Sequence, residues 1–400
     1  MKVYIVAAKR TAIGKFLGSL AGFGVGELGA IVIKNMLEKT GIDVNSIDQV
    51  IAGNVLSAGQ GQGVARQAAL KAGIPVSVPA YGIDMVCGSG MKTVMLGCTE
   101  IAAGNADIII AGGIESMSNT PFMLGSALRN GQKMGDFKAI DHMVFDGLTD
   151  IFNNYHMGIT AENVAEKYTI SRQAQDYFAF QSQQKAIKAV DSGVFINEIV
   201  PVDIVSKKET IVFDKDEYPN RASTLEKLAA LKPAFKKDGT VTAGNASGVN
   251  DGASFVILMS ENKVKELGIE PLAEVIAYGQ AGVAPEIMGL GPVPAISQAL
   301  KKANMNLQQI DVLELNEAFA AQSLGVVEEL SAEHGVTKDW IFDRTNVNGG
   351  AIALGHPIGA SGNRIIVTLV HEMKRSNKEF GLASLCIGGG MGTAIILKKV

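Results

Sequence analysis

Cysteine is scarce in this chain, with three residues among 400. So few cysteines exclude a disulfide-stapled scaffold and favour a reducing compartment. The five histidines have no second His, Cys or carboxylate at a metal-binding spacing, which excludes a zinc motif. We therefore expect no metal site, and each cysteine is a candidate for either thiol chemistry or core packing.

Excess charge of one sign and long apolar runs are also missing. The 36 basic and 40 acidic residues leave a net charge of −4, and no block of Lys or Arg stands out. We therefore expect no nucleic-acid partner and no membrane-surface partner. No apolar run approaches the ~20 residues of a membrane span, and residues 1–10 resemble a short strand rather than a signal peptide. The expected location is cytoplasmic.

What the chain does have is length and aliphatic content. At 400 residues it exceeds the usual size of one core, so two or three domains are expected. Its apolar content is 47% but its aromatic content only 6%, which favours aliphatic strands in packed α/β layers. Strand-like runs followed by helical patterns recur along the chain, as is typical of such folds.

Cys87 lies in a short glycine-rich turn directly ahead of a predicted helix. The apolar residues that follow share one helical face: Met91, Val94, Met95, Cys98, Ile101 and Ala102. A helix N-terminus offers unpaired N–H groups and a partial positive charge, which favour thiolate over thiol. Gly88 and Gly90 let a ligand approach the backbone closely. Cys87 is therefore a candidate nucleophile, although a buried structural cysteine is the alternative.

A second reactive cluster lies near the end of the chain. His356 stands in a glycine-rich turn before an apolar, helix-like stretch from Ile365 to Met373, and Cys386 ends a short apolar strand that opens into glycines. A nucleophilic thiol, an imidazole base and a second thiol would together form an acyl-transfer site. Asn316 and Glu317 follow a strand-like run, where α/β proteins place their chemistry. Helix capping by that pair, and core packing by Cys386, are the alternatives.

The two ends of the chain resemble each other. The run Ile47 to Val55 is echoed by Ile310 to Glu317, and each half then has a glycine-flanked reactive residue before a helix. Each helix leads to a strand that ends in glycines, Ala106 to Gly113 and Leu382 to Gly390. From the residues alone, either an internal duplication or two unrelated α/β domains would explain this pattern.

The motif G-x-G-x-x-G occurs at residues 24–29. A dinucleotide site needs a strand directly before this motif and a helix after it. Here the residues 10–23 intervene and the motif continues into a predicted helix, Glu27 to Lys39. The motif is therefore not interpreted as an NAD site.

Several longer motifs carry a close resemblance to the thiolase family, and within it to the biosynthetic acetyl-CoA acetyltransferases. They occur in family order between about residue 3 and residue 400. The motifs are Val86-Cys87-Gly88-Ser89-Gly90-Met91-Lys92, Ala111-Gly112-Gly113-Ile114-Glu115-Ser116-Met117-Ser118, Tyr155-His156-Met157-Gly158, Ala243-Gly244-Asn245-Ala246-Ser247-Gly248, Asn316-Glu317-Ala318-Phe319, Gly355-His356-Pro357-Ile358-Gly359 and Cys386-Ile387-Gly388-Gly389-Gly390.

The resemblance implies an α/β thiolase fold. In that fold two similar βα halves form a five-layered α-β-α-β-α core with the active site where they meet, and a loop domain covers the site. On this basis we expect a first half at 1–120 with 249–270, a loop domain that binds coenzyme A at 121–248, and a second half at 271–400.

Local patterns predict the elements of the loop domain. They indicate two helices, Thr160 to Lys167 and Gln173 to Val190, few strands, and Ser171 as a cap of the second helix. Ala253 to Ser260 is predicted to return to the first half as a strand.

The resemblance also implies a division of catalytic labour. Cys87 would become acetylated, His356 would accept its proton, and Cys386 would take a proton from the methyl group of a second acetyl-CoA. One oxyanion site would consist of His356 and a water held by Asn316, and the other of the N–H groups of Cys87 and Gly388. Coenzyme A thioesters would be substrates, and no cofactor is implied.

Coenzyme A contacts follow from the same resemblance. The residues expected to line its tunnel or its adenine end are Leu148, His156, Met157, Arg221, Ala243, Ser247, Met288 and Phe319. Arg221 is the expected cation near the nucleotide; a solvated surface charge is the alternative. Relatives suggest a homotetramer built as a dimer of dimers.

Four functions remain in competition. The first is condensation of two acetyl-CoA molecules to acetoacetyl-CoA, and the second is degradative 3-ketoacyl-CoA thiolysis with longer chains. The residues 155–158 and 87–90 favour the first. A ketoacyl synthase would normally carry His in place of Cys386, and a non-enzymatic lipid carrier would not need Cys87, His356 and Cys386 together.

Overall fold

The computed structural model describes residues 2–400. Its strands are β1 (Val3–Thr11), β2 (Gly14–Lys15), β3 (Gln49–Gly53), β4 (Ala80–Ile83), β5 (Ile108–Ser116), β6 (Phe122–Leu124), β7 (Ala139–Asp141), β8 (Thr149–Asp150), β9 (Tyr155–His156), β10 (Ile199–Val200), β11 (Val202–Val205), β12 (Thr210–Phe213), β13 (Asn250–Ser260), β14 (Ala273–Gly282), β15 (Val312–Leu315), β16 (Phe380–Ile387) and β17 (Met391–Lys399).

The α-helices alternate with these strands. They are α1 (Val25–Thr40), α2 (Val64–Lys71), α3 (Ser89–Ala102), α4 (Met157–Lys167), α5 (Arg172–Asp191), α6 (Leu225–Ala229), α7 (Glu261–Leu267), α8 (Pro292–Ala303), α9 (Ala320–His334), α10 (Lys338–Phe342), α11 (Ala351–Leu354) and α12 (Ile358–Ser376). None of these helices is both long and apolar enough to cross a membrane, within residues 2–400.

The strands form two similar halves of a continuous sheet. The first half has the order β4-β3-β5-β13-β1 and the second β14-β17-β16-β15, and a short antiparallel pairing of β1 with β14 joins them. The predicted strand Ala253 to Ser260 lies within β13, which pairs with both β1 and β5 and so returns to the first half as expected. The apolar run of β5 is fully buried, as expected for a central strand.

The echo between the two ends of the sequence has a structural counterpart. Oδ2 of Asp48 accepts hydrogen bonds from two N–H groups at the start of β5, at 2.7 and 2.8 Å. Oδ2 of Asp311 accepts two N–H groups at the start of β16 in the same way, at 3.1 and 3.0 Å. Asp48 directly precedes β3, which runs parallel to β5, and Asp311 directly precedes β15, which runs parallel to β16. The halves therefore share local chemistry as well as topology.

Three layers of helices separate and cover the two sheet halves. Helices α1 and α2 pack on the outer face of the first half, and α8 and α9 on the outer face of the second. Helices α3 and α12 lie between the halves, in one apolar cluster that contains residues from both. The five-layered α-β-α-β-α core expected from the resemblance is confirmed.

The two central helices approach each other through glycines. A Cβ atom on Gly90 of α3 would lie 2.8 Å from the backbone nitrogen of Asn363, and one on Gly362 of α12 would lie 2.6 Å from that of Met91. Contacts this close leave no room for a side chain, so the first turns of the helices pack backbone to backbone. Since Cys87 and His356 each directly precede one of these turns, the packing brings both residues to one place.

Residues 121–248 lie outside this repeat. The two predicted helices are confirmed as α4 and α5, and Oγ of Ser171 caps α5 by accepting the N–H of Ala174 at 3.1 Å. The segment also contains the short strands β6 to β12, most of them in two-stranded pairs that the sequence pattern did not predict. Strands of two to four residues are too short to show a period.

One predicted core position is wrong. Met91, Val94, Met95, Cys98 and Ile101 of α3 are buried as expected, but Ala102 is exposed. It is the last residue of the helix, where the chain turns out towards solvent at Gly104.

Candidate active site

A cavity of about 290 Å³ opens where the two halves and the segment 121–248 meet. It brings together most of the residues predicted for the site: Cys87, His356, Gly388, Leu148, His156, Met157, Ala243, Ser247, Met288 and Phe319. Its walls are mainly apolar, as is usual for sites that bury most of a ligand. Cys386, Asn316 and Arg221 do not line it.

Cys87 lies in a turn with an unusual backbone. Val86, directly before it, has a φ of +46°, which is rare for a β-branched residue and costs about 1–3 kcal/mol. The turn is held by Oδ1 of Asp84, which accepts the N–H of Val86 at 2.8 Å, and by Oγ of Ser89, which donates to the Val86 carbonyl at 2.7 Å. Helix α3 then begins at Ser89, so the thiol is fixed at the helix N-terminus, where the sequence predicted it.

The thiol is not held as a thiolate, contrary to the sequence-based expectation. Burial raises the pKa of Cys87 to about 11, although the N–H groups of Gly388 and of Cys87 itself stabilise the charged form and oppose this shift. Desolvation therefore outweighs the helix N-terminus. Cys87 needs a base to become a nucleophile at neutral pH.

His356 is a neutral, oriented imidazole in the turn between α11 and α12. Burial lowers the pKa of His356 to about 4, and the positive charge of the buried Arg364 acts in the same direction. Its Nδ1 atom lies 2.6 Å from Oγ of Ser361, and its backbone N–H donates to Oδ1 of Asn250 at 2.9 Å. A neutral imidazole in the same cavity as Cys87 is suited to accept the thiol proton.

Cys386 is fully buried at the end of β16, beneath the cavity rather than on its wall. Burial strongly raises the pKa of this thiol, and a negative charge on Cys87 would raise it further, so ionisation of either sulfur opposes ionisation of the other. A Cβ atom on Gly388, two residues further on, would lie 2.7 Å from Cε of Met157, so the end of that methionine would have to move. The backbone N–H of Gly388 donates to the Cys87 sulfur.

Asn316 and Glu317 follow β15 directly, at the predicted strand end, but their environments differ. The backbone N–H of Asn316 donates to the Ser384 carbonyl at 3.0 Å, and its buried side-chain amide has no hydrogen-bond partner within residues 2–400. Glu317 instead accepts the N–H of Ile352 at 3.2 Å, in the first turn of α11. The capping alternative therefore holds for Glu317, whereas Asn316 is free to bind a polar ligand atom or a water.

The far wall of the cavity is built by α4 and the segment before β13. His156 stacks on Phe235, with ring centroids 4.5 Å apart and planes 20° apart, and its Nδ1 accepts the N–H of Gly158 at the start of α4. Phe319 meets Phe235 edge to face, at 6.2 Å. The backbone N–H of Ser247 donates to the Ala318 carbonyl at 2.9 Å, which joins this wall to the residues after β15.

Arg221 lies apart from this cavity. It lines a neighbouring, more open cavity of about 610 Å³ that shares Tyr218 and Ala243 with the first. Its guanidinium forms two hydrogen bonds with the Asp191 carboxylate, at 2.9 and 2.5 Å, and is exposed. The arrangement is compatible with either a nucleotide contact or a surface ion pair.

The sequence analysis missed two aromatic residues of the site, Phe235 and Tyr218. The Tyr218 ring contacts Gly248, where a Cβ atom would overlap it. Phe235 is a lone aromatic residue in a lysine-rich stretch, Lys232 to Lys237. An isolated aromatic residue among charged residues is a sequence signal for a buried contact.

The arrangement is competent for acyl transfer. The Cys87 thiol and the neutral imidazole of His356 line an apolar cavity beside the backbone donors of Cys87 and Gly388, and the Cys386 thiol lies beneath it. Donors fixed next to a nucleophile stabilise the oxyanion of a tetrahedral intermediate. In the described part of the chain, no group of three or more His, Cys, Asp or Glu side chains is placed to hold a metal ion.

Comparison with known proteins agrees with this chemistry. The profile of the thiolase N-terminal domain matches residues 3–262, and that of the thiolase C-terminal domain matches residues 269–399. The acetyl-CoA acetyltransferase of Pseudomonas aeruginosa is 56% identical over 398 residues, which is 99% of each chain.

Solved structures show the same likeness. The acetyl-CoA acetyltransferase of Syntrophomonas wolfei superimposes with a TM-score of 0.97 at 44% identity, over 100% of this chain and 99% of the other. Human mitochondrial 3-ketoacyl-CoA thiolase superimposes with a TM-score of 0.94, at the same identity and coverage.

Proposed function

The chain belongs to the thiolase family, and from this premise we propose that it condenses two molecules of acetyl-CoA to acetoacetyl-CoA and CoA, reversibly, through an acetyl-Cys87 intermediate. The proposal is carried by one observation: the thiol of Cys87 shares a cavity with the neutral imidazole of His356 and is electrostatically coupled to the thiol of Cys386.

The first half-reaction acetylates Cys87. His356 takes the proton of the Cys87 thiol, the sulfur attacks the thioester carbonyl, and CoA leaves as a thiolate that receives the proton from His356. The N–H groups of Cys87 and Gly388 stabilise the oxyanion of the tetrahedral intermediate. A donor of this kind typically contributes about 10²–10³ in rate.

The second half-reaction forms the carbon–carbon bond. His356 accepts the proton released when Cys386 ionises, and the Cys386 thiolate removes a proton from the methyl group of a second acetyl-CoA. The enolate attacks the acetyl carbonyl and expels the Cys87 thiolate, which takes the proton back from His356. His356 and a water on Asn316 stabilise the enolate oxygen. Once Cys87 is acetylated it can no longer ionise, so no thiolate forms beside Cys386 to oppose ionisation of the second thiol.

Coenzyme A thioesters are the proposed substrates, with no resident cofactor. The pantetheine arm would lie against Leu148, Met157, Met288 and Phe319 in the apolar cavity, with the nucleotide towards Arg221. What supports this direction is the continuity of the two cavities through Tyr218 and Ala243.

We also propose a homotetramer, built as a dimer of dimers, in the cytoplasm. Support for association comes from large apolar side chains that are exposed in one segment: Phe122 (69%), Met134 (92%) and Phe137 (60%). Exposed apolar groups this close together commonly mark a protein interface. Sedimentation equilibrium of the purified chain tests the stoichiometry.

The decisive assay is CoA-dependent cleavage of acetoacetyl-CoA, compared with that of a longer 3-ketoacyl-CoA. Rapid turnover of the short substrate alone, lost in Cys87→Ser, supports the proposal. In Cys386→Ala we expect acetyl-CoA to acetylate Cys87, detectable by peptide mass, without net condensation. Preference for the longer substrate would reassign the chain to degradative thiolysis, and no turnover by folded protein would favour a lipid-carrier role.

A further inference from the structure

The residues 350–361, here called the His356 segment, are held near both ends by buried carboxylates. Glu317 contacts the segment before His356, and Glu115 contacts it after His356. The two carboxylates come from opposite halves of the fold, since Glu115 lies near the end of β5 and Glu317 directly after β15. His356 is therefore fixed relative to both halves at once.

The Glu115 carboxylate joins the residues that follow β3 to the first turn of α12. Its Oε2 accepts the N–H groups of Gly359 at 2.9 Å and Val55 at 3.1 Å. Its Oε1 accepts the N–H of Leu56 at 3.2 Å and the side-chain amide of Asn54 at 2.9 Å. Val55 and Leu56 belong to the apolar cluster against which Cys87 packs. One carboxylate thus links the surroundings of the nucleophile to the first turn of α12.

The Glu317 carboxylate acts similarly on the other side. Its Oε2 accepts the hydroxyl of Ser182 at 2.6 Å and the N–H of Ile352 at 3.2 Å, and its Oε1 accepts the side-chain amide of Asn346 at 2.8 Å. Oγ of Ser182 also accepts the N–H of Gly350 at 3.0 Å. Because Glu317 is adjacent to Asn316 in the sequence, its carboxylate fixes the start of the His356 segment relative to Asn316.

Both carboxylates press against glycines of the segment. A Cβ atom on Gly359 would lie 2.8 Å from Oε2 of Glu115, and a Cβ atom on Gly350 would overlap the Glu317 carboxylate. Any side chain at either position would displace the carboxylate that it meets. The segment and its two acceptors are thus built to fit each other.

These contacts are costly as a source of stability alone. Both side chains are almost fully buried, and no Lys, Arg or His nitrogen in the described residues lies within ion-pair distance of either carboxylate. Burial raises the pKa of Glu115 to about 7 and raises that of Glu317, against the opposing effect of their donors. Burying a charge that has no ion-pair partner is costly, and each of these carboxylates directs an acceptor oxygen to the His356 segment, as a positional role requires.

We propose that Glu115 and Glu317 are paired positioning residues for His356, which hold the His356 segment in register with Cys87 and Asn316 from opposite halves of the fold. This inference rests on the proposed function, because it takes His356 to be the base that activates Cys87. Neither carboxylate touches the reacting atoms.

The test measures alkylation of Cys87 by iodoacetamide in the full-length protein between pH 6 and 9, followed by peptide mass. This readout needs no acyl substrate. In the wild type, where His356 is held beside Cys87, we expect an alkylation rate that depends only weakly on pH. In Glu115→Gln and in Glu317→Gln, we expect at least a tenfold slower reaction at pH 7, with a rate that rises roughly tenfold per pH unit, as for an unassisted thiol of high pKa.

A matched control separates position from stability. Asp48→Asn removes a carboxylate that accepts two backbone N–H groups at the far end of the sheet. It should lower the melting temperature and leave the alkylation profile unchanged. A merely structural role of Glu115 and Glu317 would produce the same pattern as this control.

Steady-state kinetics provide the second readout. In both glutamate variants kcat for thiolysis should fall at least tenfold, with KM for CoA changed less than threefold. If either variant does not fold, Ser182→Ala keeps both carboxylates and should slow alkylation at least threefold at pH 7. An unchanged alkylation profile in folded variants overturns the proposal. Absence of thiolysis in the wild type would instead count against the proposed function, and the alkylation profile would still report on the two glutamates.

Discussion

Nδ1 of His356 lies 2.6 Å from Oγ of Ser361, whose own proton is donated to the carbonyl oxygen of Pro357 at 2.8 Å. Because the serine hydroxyl has only one proton, it must accept the hydrogen bond from the histidine. The imidazole is therefore protonated on Nδ1, which leaves Nε2 as the basic nitrogen. A serine one turn into α12 thus determines which nitrogen can act as the base.

Ser361→Ala should consequently lower kcat by about tenfold or more, because a general base contributes roughly 10²–10⁴ and part of that depends on the correct tautomer. The measurement is the initial rate of acetoacetyl-CoA thiolysis. Ser376→Ala is the matched control, since Ser376 lies on the same helix and forms the same bond to the carbonyl four residues earlier. Equal rates for the two variants would contradict the assignment.

The low pKa of His356 predicts a pH dependence of stability. The folded state holds this group neutral down to about pH 4, whereas in the unfolded chain it binds a proton below its ordinary value of 6.5. Between these values the unfolded state binds more protons, so stability is lost as pH falls. The loss amounts to about 3 kcal/mol over the window.

His356→Gln isolates this contribution. Urea unfolding of the wild type and of the variant at several values between pH 4 and pH 7 gives two curves. The wild type should lose stability relative to the variant as pH falls from 6.5 to 4, and the difference should be constant above pH 6.5. Parallel curves throughout would show that His356 titrates normally in the folded protein.

Replacement of Asn316 should lower activity strongly while changing stability little. Its buried amide has no hydrogen-bond partner in the part of the chain that the structure describes, so Asn316→Ala should change the unfolding free energy by less than about 1 kcal/mol. Thiolysis should nevertheless fall about 10²-fold, the usual effect of removing an oxyanion donor.

Asn346→Ala provides the contrast. That side chain bonds the N–H and the carbonyl of Leu315 and also Glu317, so its loss should cost roughly 2–4 kcal/mol. Unfolding midpoints and rates for both variants form the test. A large stability loss in Asn316→Ala would mean that its amide has structural partners.

Arg221 offers a test of nucleotide binding. If it contacts a phosphate of CoA, Arg221→Ala should raise KM for CoA by about fivefold at low salt, because an exposed charge pair is weak and is screened by salt, and leave kcat within twofold. Lys34→Ala, which removes an exposed cation near Glu38 on α1, should leave KM unchanged. An unaltered KM in Arg221→Ala would assign Arg221 to its surface pair with Asp191.

The contact between α3 and α12 predicts a strict requirement for glycine. A Cβ atom on Gly90 would meet the backbone at Asn363 and Gly359 within 2.9 Å, so Gly90→Ala should destabilise the protein by about 1–3 kcal/mol or more. Gly22→Ala is the control, because nothing lies within 4 Å of a Cβ atom there. The measurement is the thermal unfolding midpoint of each variant. Similar midpoints for the two would contradict the prediction and show that the helices can move apart at little cost in free energy.

Local patterns in the sequence were sufficient to select candidate reactive residues that the structure brings close together. Glycine-flanked Cys87 and His356 ahead of helices, and Asn316 at a strand end, all lie where expected. Periodicity was also sufficient for the long helices, because α4 and α5 have apolar positions over several turns. The end of α3 was less predictable, since Ala102 continues the apolar spacing although the helix stops there.

Long-range effects could not be predicted from the sequence. The charge state of Cys87 depends on how deeply it is buried by residues far along the chain, and burial reversed the expected preference for thiolate. Phe235 reaches the cavity from a lysine-rich stretch with no apolar period. The acceptor role of Glu115 requires four donors from two distant segments, residues 54–56 and Gly359, and no local pattern indicates that they meet.

The shared middle layer has a consequence for how the chain is made on the ribosome. Helix α3 packs on β5 in its own half, but the side that faces α12 is covered only when α12 has been made, and α12 ends at Ser376, near the C-terminus. At synthesis rates of about 5–20 residues per second, α3 waits on the order of tens of seconds for its partner. During this interval the nascent first half exposes aliphatic surface, so this protein should depend on chaperones during translation more than one whose halves close separately.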